Sequence, residues 1–301
     1  MSKAGSLRST IEGIQPQYTM GLIRFDLNNN ATRNRPHVIV EGSDDKVFYD
    51  KFLSSDVIIY DAVKEDGSRG GWKYVLQIVE DVLLSKRTEA IIGIIDTDDT
   101  KYQQPAFIRP KNILLTDCRD METTVVFTPH VKDFIESLNK DMYLHFNEIT
   151  DVSFYLGKLQ IASKLFDLGC VFDNFMKLSL IFDDYRSLNA NWKAIIRDLF
   201  KKEVKREKPK KKNNNSINCR RTDIVGFIRI TDSLDKEQPS DICRGHDIIR
   251  LLSYKLQKQE YHPKLLWAKI CSVYYDNDFS QTCLYKDIER YETLWGIKLM
   301  K

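Results

Sequence analysis

The sequence has little of what marks disulfide scaffolds, zinc sites or membrane spans. Its 301 residues include six cysteines, and none of these forms a Cys-x-x-Cys pair. Because structural zinc sites and disulfide frameworks need closely spaced cysteines, neither is expected, and the thiols are expected to be reduced. No run approaches the ~18 apolar residues of a membrane helix, and the first residues lack the apolar segment of a signal peptide. We therefore expect a soluble, cytoplasmic protein.

Histidine and excess charge are also scarce. There are five histidines and no His-Glu-x-x-His motif, so carboxylates would have to bind any metal ion. Lys and Arg number 46 against 43 Asp and Glu, and this net charge of +3 does not by itself indicate a nucleic-acid-binding protein. No GxxxxGK[ST] phosphate loop is present, so the chain is not expected to bind ATP itself. Hydrophobic residues make up 42% of the chain, which is ample for a packed core.

Short, continuous apolar runs in the N-terminal half predict strands of a parallel sheet that is buried on both faces. Stretches with apolar residues at helical spacing separate them, which predicts the order β-α-β-α-β-β of an α/β fold. The predicted strands are His37–Val40, Val57–Tyr60, Ala90–Ile95 and Asn112–Leu115, and the predicted helices are Asp44–Leu53 and Gly71–Leu84. Residues 36–128 are thus predicted to form one domain. A leader at 1–35 precedes it, in which Tyr18–Asp26 could add an edge strand.

The chain after this domain, residues 129–301, has the pattern of a mainly helical region. The predicted helices are Val131–Leu138, Val152–Phe166, Val171–Leu188, Trp192–Phe200, Asp247–Lys258, Pro263–Tyr275 and Gln281–Leu294. A lysine-rich run at about 201–216 interrupts them and includes Lys210, Lys211 and Lys212. It is expected to be a mobile basic loop, which is either simply solvated or binds nucleic-acid phosphates.

Acidic residues follow the ends of the predicted strands. Glu41 comes directly after the first strand, and Asp96 and Asp98 directly after the third. Because the carboxyl ends of parallel strands meet at one edge of the sheet, where open α/β folds bind ligands, these residues are expected to converge. Asp45, one helical turn after Glu41, can face the same place. The supporting candidates are Lys46 and Asp99, next to these carboxylates, and Asp117 and Glu122, after the fourth strand.

Carboxylates gathered at one edge repel one another unless a cation neutralises them. Mg²⁺ or Mn²⁺, as one ion or two, suits such a group because these ions take oxygen ligands and complete their coordination with water and substrate phosphate. We therefore predict a metal site formed by Glu41, Asp45, Asp96 and Asp98. The alternative is that aspartates after strands only cap helices and form turns.

Three blocks of the sequence carry a resemblance to a known family: VIVEGSDDKVFYDKFL, IIGIIDTDDT and NILLTDCRDMET. Over about 37–123 they resemble the TOPRIM domain, a Rossmann-like fold shared by topoisomerases, primases and OLD-type nucleases. The helical C-terminal half and the motif Arg244-Gly245-His246-Asp247 make the chain similar to the TOPRIM nuclease effectors of ATPase-linked bacterial antiphage systems of the PARIS type.

The resemblance implies a metal-dependent endonuclease. Glu41 matches the family's metal-binding glutamate, which assists as general acid or base, and Asp96 and Asp98 match its Asp-x-Asp metal pair. Asp45 matches an acidic residue that is often tied to a second metal. The chain is too short for the gate domains around a topoisomerase tyrosine, so water is the expected nucleophile. The implied partners are an ABC-type ATPase, which holds the nuclease inactive, and a host tRNA, which is cleaved on release; a homodimeric active form is compatible with this.

Two other functions stay open: a TOPRIM nuclease that nicks or processes DNA, and a non-catalytic TOPRIM-like module that docks on an ATPase complex. Weaker features also have two interpretations. Arg69, in a glycine-rich loop, either contacts a phosphate or belongs to a plain helix start. His246 either reaches the active site or only orients a loop while Asp247 caps a helix.

Overall fold

The structure is a computed structural model. It describes residues 18–85, 88–98, 100–102, 107–165, 226, 229–256 and 261–301, together with the backbone of 182–184 and 187–190. The chain divides into two compact units, one made of Met1–Thr97, Ile108–Asp117 and Tyr275–Lys301, the other of Asp98–Phe107 and Cys118–Tyr274. Each unit is assembled from separate stretches of sequence. The consecutive domains predicted at 36–128 and 129–301 stay a prediction.

The first unit is built on a parallel sheet of four strands in the order β2-β1-β3-β4. The strands are β1 (His37–Val40), β2 (Ile58–Asp61), β3 (Ile91–Ile95) and β4 (Ile113–Leu115). All residues of β1 and β3 are buried, which agrees with their continuous apolar sequences. The α/β class and the parallel sheet are thereby confirmed.

The helices flank this sheet in the first unit and make up most of the described second unit. In chain order they are α1 (Thr19–Asn28), α2 (Ser43–Asp50), α3 (Gly71–Leu84), α4 (Met121–Val126), α5 (Pro129–Ser137), α6 (Met142–Leu165), α7 (Pro239–Ile242), α8 (Gly245–Leu256), α9 (Pro263–Val273), α10 (Asp276–Phe279) and α11 (Cys283–Trp295). Helices α1 to α3, α10 and α11 belong to the first unit, and α4 to α9 to the second. The helical character predicted for the C-terminal region is confirmed for this described part.

Helix α3 packs closely on β3 because the strand has a glycine at its centre. A Cβ built on Gly93 would lie 2.7 Å from Val75 Cγ1 and 2.8 Å from Ile113 Cδ1. The buried face of the helix follows the spacing of an amphipathic helix, with Val75, Ile78, Val79 and Val82. The missing side chain therefore sets how near α3 lies to the sheet.

The prediction of an edge strand at Tyr18–Asp26 is wrong, because residues 19–26 lie in helix α1 and Tyr18 is its N-cap. Thr19 and Ile23, four residues apart, are both buried, which helical geometry allows on a single face. The Thr19 N–H donates to the Val63 carbonyl at 3.0 Å, and Thr19 Oγ1 accepts from the Val63 N–H at 2.7 Å. The start of α1 is thus fixed to the chain that follows β2.

The predicted helix Val171–Leu188 is wrong at its C-terminal end. The backbone of Phe182–Asp184 (β5) and Ser187–Ala190 (β6) forms an antiparallel pair. This stretch is rich in Asp, Ser and Asn, which favour turns over helix interiors. The rest of that helix, the helix predicted at Trp192–Phe200 and the basic run at 201–216 lie outside the described residues. Among the described helices, none has both the length and the apolar character needed to cross a membrane.

Candidate active site

Glu41 and Asp96 lie side by side at the carboxyl ends of neighbouring strands. β1 and β3 pair in parallel with Val40 opposite Ile94, so the residues that follow them meet at the same edge. Glu41 Oε1 accepts a hydrogen bond from the Asp96 N–H at 2.8 Å, and both residues are partly exposed. The predicted convergence of these two residues, 55 positions apart in the sequence, is confirmed. Their role in chemistry stays a prediction.

The other oxygen of Glu41 lies near the first turn of α3. A Cβ built on Gly71, the first residue of that helix, would lie 3.9 Å from Glu41 Oε2. Gly71 has a φ of 59°, a left-handed conformation that glycine adopts readily. Because the N-terminus of a helix carries a partial positive charge, the start of α3 contributes a positive potential beside Glu41. Arg69, in the loop before α3, is exposed, and its role as a phosphate contact stays a prediction.

Asp45 lies in the first turn of α2 and has a capping contact there. Its Oδ2 accepts from the Gly42 N–H at 2.9 Å, and the residue is partly exposed. This contact is the one that the capping alternative requires. Asp45 as a metal ligand stays a prediction, as does the supporting role of Lys46, which is exposed on the same helix.

Asp117, a supporting candidate from the sequence, binds the N-terminus of α11. Its two carboxylate oxygens accept from the N–H groups of Cys283 at 2.6 Å and Leu284 at 2.9 Å. These amides are among those that helix geometry leaves without an internal partner. The charge of Asp117 also raises the pKa of the Cys283 thiol. The structure thus gives Asp117 a capping role within the first unit.

In the second unit, two cationic side chains lie near the carboxylate of Asp98. Its Oδ1 lies 3.9 Å from Arg119 Nε, and its Oδ2 lies 3.8 Å from Lys164 Nζ. The Asp98 N–H donates to the Arg119 carbonyl at 2.5 Å, and its φ of 42° is left-handed. The Arg119 side chain is completely buried, whereas that of Asp98 is 33% exposed. Asp98 is therefore positioned from inside the second unit.

The motif at 244–247 lies at the start of α8, which approaches α4 closely. A Cβ built on Gly245 would lie 2.4 Å from both Glu122 Cβ and Thr123 N, so this helix contact requires glycine. His246 is exposed in the first turn of α8, whereas Asp247 is buried and accepts a hydrogen bond from Gln160 Nε2 at 3.1 Å. A catalytic part for Glu122 and His246 stays a prediction.

Asp120 joins α4 and α8 within the second unit. Its carboxylate accepts from the N–H of Thr123 at 2.7 Å, which caps α4, and from the N–H of Gly245 at 3.1 Å. Burial raises the pKa of this carboxyl, and the hydrogen bonds from Thr123 act in the opposite direction. Asp120 therefore has a structural role, because its carboxylate connects the start of α8 to the start of α4.

The remaining candidates, Asp99, Lys210, Lys211 and Lys212, lie outside the described residues. Across the part of the chain that the structure describes, no group of three or more His, Cys, Asp or Glu side chains is arranged to hold a metal ion. The donor chemistry at the sheet edge nonetheless suits Mg²⁺ or Mn²⁺, because these ions bind through one or two carboxylates and take their other ligands from water and substrate phosphate. The metal site stays a prediction.

Sequence reasoning missed Arg119, Gln160 and Lys164. Arg119 stands within the quoted block NILLTDCRDMET, between Cys118 and Asp120, and nothing local marks it as buried. Gln160 offered a signal, because it is a polar residue in the apolar stretch LQIA of α6. A buried amide needs hydrogen-bonding partners, so such a residue points to a polar network.

The sequence matches no protein-family model, and a search of curated proteins finds no match. The TOPRIM resemblance therefore rests on the three sequence blocks alone.

Proposed function

We propose that the protein is a TOPRIM-type endonuclease that hydrolyses phosphodiester bonds with the help of Mg²⁺ or Mn²⁺. The observation that supports this most is the hydrogen bond from the Asp96 N–H to Glu41 Oε1. It joins two carboxylate-bearing strand ends at the carboxyl edge of a parallel sheet, the place where open α/β folds bind ligands. Both residues are partly exposed, so a ligand can reach them.

Glu41, Asp96 and Asp45 are the residues of the first unit that would hold the ion. Asp98, two positions after Asp96, is the further ligand that the sequence predicts. A bound divalent cation supplies activation of water and neutralises charge on the phosphate. One or two carboxylates suffice for such an ion when substrate phosphate and water complete its coordination.

The position of Glu41 suits a role in proton transfer. Its Oε1 is oriented by the Asp96 N–H, and its Oε2 lies near the start of α3. A carboxylate held in this way can accept a proton from the attacking water. The partial positive charge at the helix start balances part of the negative charge that gathers when a phosphate approaches.

The substrate and partners follow from the resemblance alone. We propose a host tRNA as the substrate, an ABC-type ATPase as the partner that restrains the enzyme, and a toxic effector role in cytoplasmic antiphage defence. DNA is the alternative substrate of the same chemistry. A homodimer of the active form is part of this proposal.

The test uses purified full-length protein with tRNA, single-stranded DNA and supercoiled plasmid, each with Mg²⁺, Mn²⁺ or EDTA. We expect cleavage of tRNA that EDTA abolishes and that Glu41→Gln reduces to background. Glu89→Gln is the matched control, because Glu89 is exposed and precedes the same strand, β3, that Asp96 follows. Loss of cleavage in both variants, or in neither, would contradict a catalytic Glu41.

A second function has one observation in its favour. Since the carboxylates of Asp45 and Asp117 accept hydrogen bonds at helix starts, as the capping interpretation requires, a non-catalytic module that docks on an ATPase complex is the competing proposal. It predicts no cleavage of any substrate by the wild-type protein, even when the ATPase complex and its trigger are supplied. It also predicts that Glu41→Gln leaves binding to the ATPase unchanged.

A further inference from the structure

The second unit contains a buried arginine whose hydrogen bonds form a continuous chain. The Arg119 guanidinium donates from Nη1 to the Ile242 carbonyl and from Nη2 to Gln160 Oε1 at 3.3 Å. A buried guanidinium strongly destabilises the folded state unless it has hydrogen-bond acceptors such as these. The position of Arg119 is therefore determined by the groups around it.

Room for this arginine is built into α6. A Cβ on Gly157 would lie 2.0 Å from the Ile242 carbonyl oxygen and 2.9 Å from Arg119 Nη1. Any side chain at this position would push α7 or the guanidinium away. Gly157 thus lets the arginine reach the Ile242 carbonyl beside α6.

Gln160 connects the arginine to the start of α8. Its amide oxygen accepts from Arg119, and its amide nitrogen donates to Asp247 Oδ2 at 3.1 Å. Gln160 is 5% exposed and Asp247 is 2% exposed, so water does not compete strongly for these bonds. The amide oxygen can only accept and the amide nitrogen can only donate, so a single orientation of the Gln160 amide satisfies both Arg119 and Asp247.

The other end of the chain is Asp98. The Arg119 carbonyl accepts a hydrogen bond from the Asp98 N–H, and this backbone bond is the link between the two residues. Arg119 Nε lies 3.9 Å from Asp98 Oδ1, which is an ion-pair distance and longer than a hydrogen bond. Asp98 has a left-handed backbone, which is disfavoured for aspartate without local support. Further along the chain, Lys101 Nζ lies 2.5 Å from Glu237 Oε2 and 3.3 Å from Asp241 Oδ2, a half-exposed ion pair within the same unit.

We propose that Asp247, Gln160 and Arg119 form a buried positioning relay that holds the backbone of Asp98, and through it places the Asp98 carboxylate to bind a divalent cation. The proposal rests on the proposed function, in which Asp98 is a metal ligand. Arg119 is a positioning residue, because it acts through Asp98. The relay also assigns a task to Asp247 of the motif at 244–247.

The first test needs no metal. Gln160→Met keeps the length and burial of the side chain but removes both hydrogen bonds. In metal-free full-length protein, we expect hydrogen exchange at the peptide Asp96–Tyr102 to become at least five-fold faster. Ser153→Ala is the control, because Ser153 is buried on the same helix, and it should leave this peptide unchanged. Unchanged exchange in Gln160→Met would overturn the relay, whether or not the protein is a nuclease.

The second test measures Mn²⁺ affinity by electron paramagnetic resonance. We expect Gln160→Met to weaken binding about ten-fold, the scale on which residues that orient a metal ligand act. Asp98→Asn should weaken it as well, and Gln160→Met should add nothing in the Asp98→Asn background. Additive effects in the double variant, or no effect of Gln160→Met alone, would overturn the relay.

Conservative variants separate positioning from simple packing. Asp247→Asn keeps an oxygen that can accept from Gln160, so it should preserve both the slow exchange and the Mn²⁺ affinity, whereas Asp247→Leu should lose both. Equal behaviour of these two variants would contradict the relay. Wild-type Mn²⁺ binding that Glu41→Gln leaves unchanged would instead contradict the proposed function, and the exchange experiment would still decide on the relay.

Discussion

Polar side chains are buried at the amino end of the parallel sheet and partly exposed at its carboxyl end. At the amino end, His37 Nδ1 lies 3.1 Å from the Tyr60 hydroxyl, which donates to Asp26 Oδ2 at 2.6 Å. Asn112, before β4, donates from its side chain to the Ile91 carbonyl at 2.7 Å. His37 and Asn112 are both buried. Tyr60, Asp26 and Asn112 bond to one another or to the backbone through these atoms, whereas the buried His37 Nε2 has no hydrogen-bond partner among the described residues.

At the carboxyl end, the acidic side chains are partly exposed. Glu41 accepts from the Asp96 N–H, and Asp45 accepts from the Gly42 N–H. These bonds orient the carboxylates without burying them. The difference teaches that one end of the sheet contributes to stability while the other keeps charged oxygens within reach of solvent. Substitutions at the two ends should therefore separate stability from activity.

The largest effect is expected for Asp96→Asn. We expect cleavage to fall about 10³-fold, the scale of losing a group that acts directly on the transition state. The backbone N–H that Glu41 accepts is kept, so the midpoint of thermal denaturation should not move. Rates with Mg²⁺ and denaturation curves are the two measurements.

Asp56→Asn is the matched control for this change, because Asp56 is exposed and precedes β2 at the amino end. It should leave cleavage unchanged. Equal losses in the two variants would remove the distinction between the two ends.

The pH dependence of stability tests the amino end. Burial lowers the pKa of His37 to about 4, while the charge of Asp26 opposes this shift. An unfolded chain has an ordinary histidine pKa near ~6.5, so it takes up the proton first as the pH falls. Above pH ~6.5 the neutral His37 costs the folded state nothing. As the pH falls from there towards 4, the free energy of unfolding decreases by up to about 3 kcal/mol, because the unfolded chain binds the proton more tightly.

Urea denaturation of the wild type and of His37→Gln between pH 7.5 and pH 4.5 is the measurement. The difference between the two proteins isolates this one group from other titrations. A free energy of unfolding that changes with pH in the same way in both proteins would contradict the buried neutral histidine.

A smaller loss of stability is expected for Asn112→Ala. Asn112 has a left-handed φ of 66°, and its amide bonds to backbone carbonyls. Alanine tolerates the left-handed conformation poorly and lacks the amide, so the substitution should lower the free energy of unfolding by about 2 kcal/mol. Asn112→Gly keeps the conformational freedom and should cost about half as much. Cleavage per folded molecule should be unchanged, and a large loss of cleavage would link the amino end to the reaction.

Asp117→Ala should have the smallest effect, about 1 kcal/mol in the free energy of unfolding, because it removes a helix cap. Asp117 follows β4 at the carboxyl end, yet its oxygens are bound to α11. It is therefore expected to behave like the amino-end residues. If Asp117→Ala lowered the cleavage rate of the folded protein, Asp117 would have a role in the active site.

The sheet and the meeting of Glu41 with Asp96 could be predicted because both depend on local patterns. A continuous apolar run such as His37–Val40 indicates a buried strand, and an acid directly after it must lie at the strand's carboxyl end. Parallel geometry then brings such ends to one edge, without knowledge of any side-chain contact.

The rest depends on partners far away in the sequence. Asp117 caps a helix whose start is 166 residues later, and Gln160 bonds to an aspartate 87 residues later. No local pattern contains these pairs. Helix α1 was missed for the same reason, because burial of Ile23 and the bonds of Thr19 to Val63 come from tertiary packing.

The close packing at Gly93 links the middle of the sheet to the surroundings of Glu41. The helix that rests on Gly93 begins at Gly71, next to Glu41, so a methyl group at position 93 would displace the helix and its first turn together. Such a shift would weaken the positive potential beside Glu41 while every acidic residue stayed the same. Evolution or a protein engineer can thus change the electrostatic potential at Glu41 through one small hydrophobic substitution in the middle of the sheet.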